Sequence, residues 1–545
     1  MSHVTKILTK NSRWHYLGII IWIIPLLFLN NGQHSLMPQD EAMYGIRARW
    51  MVESGDWLTP QSWGELVYEK TPGPYWWLAS VYTLLGISEV TSRLPAQLGC
   101  IFSLFLTYEI ATILLNRRIA LLSSAILSVS LLWLQASRLT TANMVTICII
   151  LLGIWCLLKA ELHHKYRYYW GFGAGFSFGF GFLLRGQLIF VPIIALLPYL
   201  ILHRRHRHLT NPMIYAGFLI GLIPTVLWFW LSWQRHGSIV FEQFFALAAR
   251  IAKEQRNGNS PLFYLWNTPI KAFPWPFFSI FGLFLILRSS SRYKTVLVIC
   301  PLIILVQISL TSTRLPHYAL MLYPFMAMLA GVAFDWLCQI YEDKTSAYKW
   351  LPRNLSYGFG ALAILLLIAS SLITTGILNM DGGEELDIKQ VAVVVFVLGL
   401  GWSSLPVIWI LRHSFGKRFF NANSWLASWI VSAWLALAVA GGVGMLGNYN
   451  PDIKAFVQQQ AIASTLENHR INFVVEETEA LATGGDKALL LLTFYTPRWG
   501  QRYKQLSELP VGSYAWLSPE PSVNSSRPYQ NLGIFRKWKL IKVVS

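Results

Sequence analysis

Over its first 446 residues the chain alternates long apolar runs with short polar breaks. The runs cover 14–29, 93–115, 119–134, 143–159, 169–184, 187–202, 213–232, 273–287, 295–311, 317–340, 355–378, 390–411 and 424–446. Many approach the roughly 20 residues with which a helix crosses a bilayer. The pattern predicts an all-α polytopic membrane protein with about 13 transmembrane helices. After 446 the pattern changes. "DIKAFVQQQAIASTLENH" has a helical period, while "NFVV", "ALLLLTFY", "SYAWL" and "LGIFRKW" with "KLIKVV" have strand character. Residues 447–545 are expected to form a small α/β domain.

Composition agrees with the pattern. Of 545 residues, 54% are hydrophobic and only 13% are charged, which excludes an ordinary soluble chain of this length. The net charge of +18 would suit a nucleic-acid binder, but its distribution argues otherwise. Basic residues cluster at alternate breaks: Lys6, Lys10 and Arg13; Arg117 and Arg118; Lys159, Lys165 and Arg167; Arg204, Arg205 and Arg207. Further clusters are Arg288, Arg292 and Lys294; Lys344, Lys349 and Arg353; Arg412, Lys417 and Arg418. This positive-inside signature puts the N-terminus in the cytoplasm, and an odd number of spans puts 447–545 outside. The first run is followed by "NNGQHSLMPQ", without a small-residue cleavage site, so an uncleaved helix is expected. Cys100, Cys148, Cys156, Cys300 and Cys338 lie in or beside runs, as packing residues rather than a disulfide or metal framework.

Three outer segments are long enough to carry function: about 30–92, 233–272 and 447–545. The last has no His cluster, phosphate loop or nucleophile elbow and is read as a supporting domain over the outer mouth of the bundle. In the first, "PYWWLASVYTLLG" is too short to span and is placed as a helix at the interface. The same loop gathers Asp40, Glu41, Arg47, Glu69 and Lys70 in "MPQDEAMYGIRARWMVESGDWLTP" and "YEKTPGPYWW", with an amphipathic helix expected through Arg47 and Arg49. Opposite them, Arg138, Arg185 and Arg314 sit in short outer loops against the positive-inside bias, and Arg250 and Lys271 lie in the second long loop. A cation at mid-membrane depth costs about 2.5–3.5 kcal/mol on insertion scales, so such residues pair or face an aqueous cavity.

Several arginines facing an acid-bearing loop point to an outward anion site. Guanidinium groups bind phosphate by charge-assisted hydrogen bonds, and a nearby carboxylate can take a proton from an attacking hydroxyl. Ordinary alternatives stand beside this: each arginine snorkelling or locally paired, Asp40 as a helix N-cap, and Glu69 in a surface pair with Lys70. "GFGAGFSFGFGFLLRG" looks like a phosphate loop, but Gly171, Gly175 and Gly179 recur every four residues inside a run, as in close helix packing. "HRRHRH" at 203–208 is read as a topology signal facing anionic lipid. No metal motif is present; no cofactor is expected and a divalent metal is left open.

At these residues the chain resembles the GT-C glycosyltransferases, nearest to the bacterial lipid A aminoarabinose transferases, with the protein O-mannosyltransferases as relatives. "DEAMYGIRARWMVESGDWLTP" and "YEKTPGPYWW" carry the resemblance, which continues through "RLTTANMVTICIILLGIW", "GFGFLLRGQLIFVP", "SPLFYLWNTPIKAFPWPFF" and "STRLPHYALMLYPFMAML". It implies a GT-C fold over 1–446 and transfer of a sugar from a polyprenyl phosphate, in bacteria undecaprenyl phosphate. The acceptor would be a lipid, lipid A-like or other, a glycan or a protein, at the outer face of the cytoplasmic membrane. By the resemblance Asp40 and Glu69 are the catalytic carboxylates. Lys70, Arg185, Arg47 and Arg250 lie near the carrier phosphate, and Arg314 is placed with them as an outer cation. The chain departs from the family at Asn143, where relatives often have Asp, and in "RNGNSPLFYLW", where many have His. A polyprenyl-phosphate flippase is the competing expectation, although no internal repeat supports it.

Overall fold

The computed structural model describes residues 2–202, 207–253, 259–343, 345–377, 385–414, 419–475, 486–518 and 527–544. Helix α1 (Ser2–Phe28) leads into a loop that holds α2 (Met43–Ser54) and α3 (Gly73–Leu85). Then come α4 (Glu89–Leu114), α5 (Arg117–Ser128), α6 (Leu131–Ser137), α7 (Asn143–Leu162), α8 (Arg167–Arg185) and α9 (Phe190–Leu202). They are followed by α10 (Pro212–His236), α11 (Ile239–Lys253), α12 (Phe263–Lys271), α13 (Trp275–Arg288) and α14 (Cys300–Leu310). Helices α15 (Tyr323–Glu342), α16 (Trp350–Thr374), α17 (Glu385–Ser414) and α18 (Ala422–Gly442) complete the bundle.

Eight of the helical segments are long and apolar enough to cross a membrane. Two bent pairs, α5 with α6 at 68° and α12 with α13 at 113°, and the shorter apolar stretches 13–28 and 295–310 add to these. The segment 164–202 counts once by length but breaks at Arg185–Gly186, where Gly186 has a φ of +57°. Its two halves cannot run on in one direction, because α8 and α10 lie side by side and parallel. A Cβ on Gly175 would meet the Ile214 carbonyl, and one on Gly179 would meet that of Phe218. The chain between them therefore returns across the bundle as α9. Among the described residues this makes thirteen apolar helical segments, at the positions expected from the hydrophobic pattern. The protein is a multi-pass membrane protein. The glycines of α8 serve close packing, with Gly217 and Gly221 of α10 meeting the carbonyls of Phe172 and Phe176 in return. Of the "HRRHRH" run, 203–206 lie outside the described residues.

In the first loop, α3 buries Tyr75, Leu78, Ala79 and Tyr82 and leaves Trp77, Leu84 and Leu85 exposed, as a helix lying against the apolar layer would. Helix α2 does not fit the amphipathic expectation. Both Arg47 and Arg49 are buried, because α2 is covered on one side by α3 and on the other by the C-terminal unit. Arg49 donates to the carbonyls of Thr496 (2.8 Å) and Pro497 (2.6 Å), and its guanidinium lies 3.9 Å from the Trp499 ring.

The C-terminal unit begins with α19 (Pro451–Val457) and α20 (Gln460–Asn468) and carries a five-stranded mixed sheet. After a two-residue hairpin in the first loop, β1 (Gln61–Ser62) and β2 (Glu65–Leu66), the strands are β3 (Ile471–Val474), β4 (Trp499–Tyr503), β5 (Tyr514–Leu517), β6 (Tyr529–Phe535) and β7 (Trp538–Val543). Their order is β4-β3-β5-β7-β6, with β3 parallel to both neighbours and β6-β7 an antiparallel hairpin. "ALLLLTFY", expected as a strand, is instead a helix, Lys487–Tyr495. A continuous apolar run does not distinguish the two by period. Here Asp486 decides, accepting hydrogen bonds from the Ala488 and Leu489 N–H groups as an N-cap, before four leucines of good helix propensity.

Candidate active site

At the end of the bundle that bears the first loop and the C-terminal unit lies a cavity of about 500 Å³. Asp40, Glu69, Lys70, Asn143, Arg185, Arg250 and Lys271 all line it. The turn Pro38–Ala42 brings in Asp40, and α2 carries Tyr44 one turn later on the same face. Lys70 stands just before α3, Arg185 at the α8–α9 break, Arg250 on α11 and Lys271 at the end of α12. Residues remote in sequence thus converge because the first loop folds back over the bundle.

Asp40 is not an N-cap: Met37 holds that position, and no side chain caps the turn. The Asp40 carboxylate makes no hydrogen bond or ion pair among the described residues. The same holds for Arg185 and Lys271. Glu69 does not pair with Lys70; it faces Arg250 at 3.6 Å. The Lys70 ammonium meets the Tyr44 hydroxyl at 3.3 Å and lies 4.7 Å from the centre of that ring. Burial pulls the Lys70 pKa down, but Tyr44 and Tyr75 outweigh it and the net direction is up. Burial raises the Tyr44 phenol, and Lys70 with Arg185 more than reverses this, leaving it below an ordinary phenol. Four basic side chains against two carboxylates give the cavity wall an excess of positive charge.

Three of the predicted cations lie elsewhere. Arg47 is buried behind the wall, donating at 2.8 Å to the hydroxyl of Tyr75, whose ring lies 5.4 Å from that of Tyr44. It supports the Lys70 wall from behind. Arg314 is occupied by backbone oxygens, that of Ser309 (2.9 Å) in the last turn of α14, where helix carbonyls lack an intrahelical partner, and that of Asn259 (2.7 Å). Arg138 donates to the carbonyls of Leu26 (2.6 Å) and Leu29 (2.8 Å), the locally paired arrangement.

The partner of Glu41 is not one the sequence pattern singles out. Its carboxylate and Arg93, both fully buried, form a two-pronged ion pair at 2.9 and 3.0 Å. Glu41 also accepts from the backbone N–H groups of Met37 (2.9 Å) and Thr140 (2.8 Å). Arg93 reaches the carbonyls of Asn31 (2.7 Å), Ser35 (2.8 Å) and Gly447 (3.3 Å). This clamp joins three walls of the cavity, those carrying Asp40, Asn143 and Tyr449. An arginine in "EVTSRLPAQLG", at the head of an apolar run, is its only trace in the sequence. Gln135, His317 and Tyr318 also line the cavity, and nothing in the sequence pattern singles them out. Asn143 takes its place there, its amide donating to the Thr141 hydroxyl at 3.2 Å.

With this geometry in place, similarity to known proteins is informative. The model of the dolichyl-phosphate-mannose-protein mannosyltransferase family matches residues 69–230, a stretch that includes Glu69, Lys70, Asn143 and Arg185. An uncharacterized protein of Aquifex aeolicus is 26% identical over 319 residues, 58% of this chain and 63% of that one, so the match spans just under two thirds of that relative. An undecaprenyl phosphate-alpha-4-amino-4-deoxy-L-arabinose arabinosyl transferase of Pseudomonas aeruginosa is 25% identical over 499 residues, 87% of this chain and 84% of that enzyme. The crystal structure of ArnT from Cupriavidus metallidurans bound to undecaprenyl phosphate superposes with a TM-score of 0.74 at 19% identity, over 100% of this chain and 98% of that one. The fold is GT-C. Within this GT-C frame the cavity lies beneath the first loop, and the names of the relatives favour a glycosyltransferase over a flippase.

Proposed function

We propose that this protein is a membrane glycosyltransferase that moves one monosaccharide from a polyprenyl phosphate, in bacteria undecaprenyl phosphate, to a lipid, glycan or protein acceptor. The reaction takes place on the outer face of the cytoplasmic membrane, with the N-terminus inside and the C-terminal unit outside, as the basic clusters indicate. The observation that carries the reading is a carboxylate without a partner, Asp40, in a cavity with Lys70, Arg185, Arg250 and Lys271. The names of the relatives and the ligand of the structural neighbour support the carrier.

The acceptor O–H gives its proton to Asp40 as its oxygen forms a bond to the anomeric carbon. The bond from that carbon to the phosphate oxygen breaks, and its electron pair leaves with the phosphate. Lys70 and Arg185 hold the phosphate and stabilise the charge that develops there. Glu69, engaged by Arg250, positions that cation rather than taking the proton. A single displacement inverts the anomeric carbon.

The test is transfer by the purified protein in lipid, using a panel of radiolabelled polyprenyl-phosphate sugars, with wild type beside Asp40→Asn. Transfer by wild type that collapses in a folded, lipid-binding Asp40→Asn protein is the expected result. Equal transfer by the two removes Asp40 from the mechanism. Tight binding of the carrier without transfer of any sugar in the panel would revive the flippase.

A further inference from the structure

The 3₁₀ turn Pro316–Leu322, which leads into α15, brings His317 to the cavity wall. The imidazole also lines a narrow crevice that opens off the cavity beside Asn143, Arg185 and Tyr318. Its ring packs edge-on against Tyr318, with centroids 4.8 Å apart and planes at 90°. Among the described residues it makes no hydrogen bond or ion pair. The charged groups that act on it are Arg185 and Lys70, the two cations assigned to the carrier phosphate.

An imidazole carries at least one ring N–H whether neutral or charged, so it can donate in either state. Beside two cations it has little use as a partner for a third, and the ligand that satisfies it is an oxyanion. In sugar transfer the carrier phosphate starts as a diester with one negative charge. It ends as a monoester, which loses a second proton near pH 6. The added charge develops on the oxygen that leaves the sugar, so a donor aimed there binds the transition state more tightly than the ground state.

Building on the transferase reading, we propose that His317 donates a ring N–H hydrogen bond to the departing phosphate, as a third donor beside Lys70 and Arg185. Removing one such donor elsewhere costs about 10²–10³ in kcat.

The experiment measures kcat, KM and binding of a short-chain polyprenyl phosphate for wild type, His317→Ala and His317→Gln. His317→Ala is expected to lose about 10²-fold in kcat with KM changed far less, and His317→Gln, which keeps an N–H donor, to regain at least about tenfold of this. The ratio of wild-type to His317→Gln rates is expected to stay level from pH 5.5 to 8.5. Wild-type kcat in His317→Ala overturns the assignment. So does a pH limb present in wild type and absent from His317→Gln, which would make the imidazole a proton carrier instead. Should His317→Ala not fold, His317→Phe, which keeps an aromatic ring and lacks a donor, takes its place: a loss of about 10²-fold in kcat is expected, and wild-type kcat there overturns the assignment. Wild type that binds the carrier yet transfers nothing removes the transferase reading, and this assignment with it. Transfer that persists in His317→Ala removes the assignment alone.

Discussion

Asp40 and Glu41 are neighbours in sequence with opposite circumstances. Glu41 is fully buried, paired through both oxygens with Arg93 and bonded to two backbone N–H groups. Asp40 faces an open cavity and pairs with nothing among the described residues. The same contrast separates the arginines. Arg93, Arg138 and Arg314 spend their donors on backbone carbonyls and so hold the walls together, whereas Arg185 lines the cavity and makes no hydrogen bond or ion pair among the described residues. Charge at the outer end of the bundle therefore has two uses, and only its partners distinguish them. A charge that is fully satisfied stabilises the wall, and one left unsatisfied over a cavity is available for chemistry.

The sharpest way to break this contrast is to exchange the two effects by mutation. Asp40→Asn should lower transfer about 10²–10⁴-fold, the range for a lost general base, with the thermal midpoint unchanged. Arg93→Ala should act on the fold as well as on transfer, lowering both: stability falls by about 3–5 kcal/mol because Glu41 is left charged and buried, as thermal unfolding in detergent would read. Combining Arg93→Met with Glu41→Leu should recover much of that stability while transfer stays low, since Met37, Thr140 and Gly447 lose their common anchor. A double variant with normal transfer would sever the clamp from the site. Lys70→Ala is expected to weaken binding of a short-chain polyprenyl phosphate by roughly 10- to 100-fold, the worth of a charge-assisted hydrogen bond. Smallest of all, Arg314→Gln should cost about 1–2 kcal/mol of stability and change that binding less than about threefold. A large loss of binding there would return Arg314 to the phosphate site.

Much of the site is legible in the order of residues alone. Asp40, Glu69, Lys70, Arg185 and Arg250 stand out because charge in so apolar a chain is expensive, and all five line one cavity. Arg47 and Arg314 stand out for the same reason yet serve the wall, because cost alone does not say which partner repays it. His317 escapes notice since one histidine near the end of an apolar run resembles any other. Only the turn at Pro316 shows that it faces the cavity.

The sequence by itself determined the membrane class, the thirteen apolar segments and the end of the bundle where the chemistry gathers. Hydrophobic length and the siting of basic clusters are local properties, and a bilayer reads them span by span. Tertiary structure alone decided which charges neutralise one another. Glu41 finds Arg93 fifty-two residues away, and Arg93 reaches Gly447 across 354 more. It also shows that "ALLLLTFY" is a helix in the unit that closes over the first loop, since an apolar run fits either state until its cap and its neighbours choose. Pairing is a property of which loops meet, and no local pattern in the chain encodes that meeting.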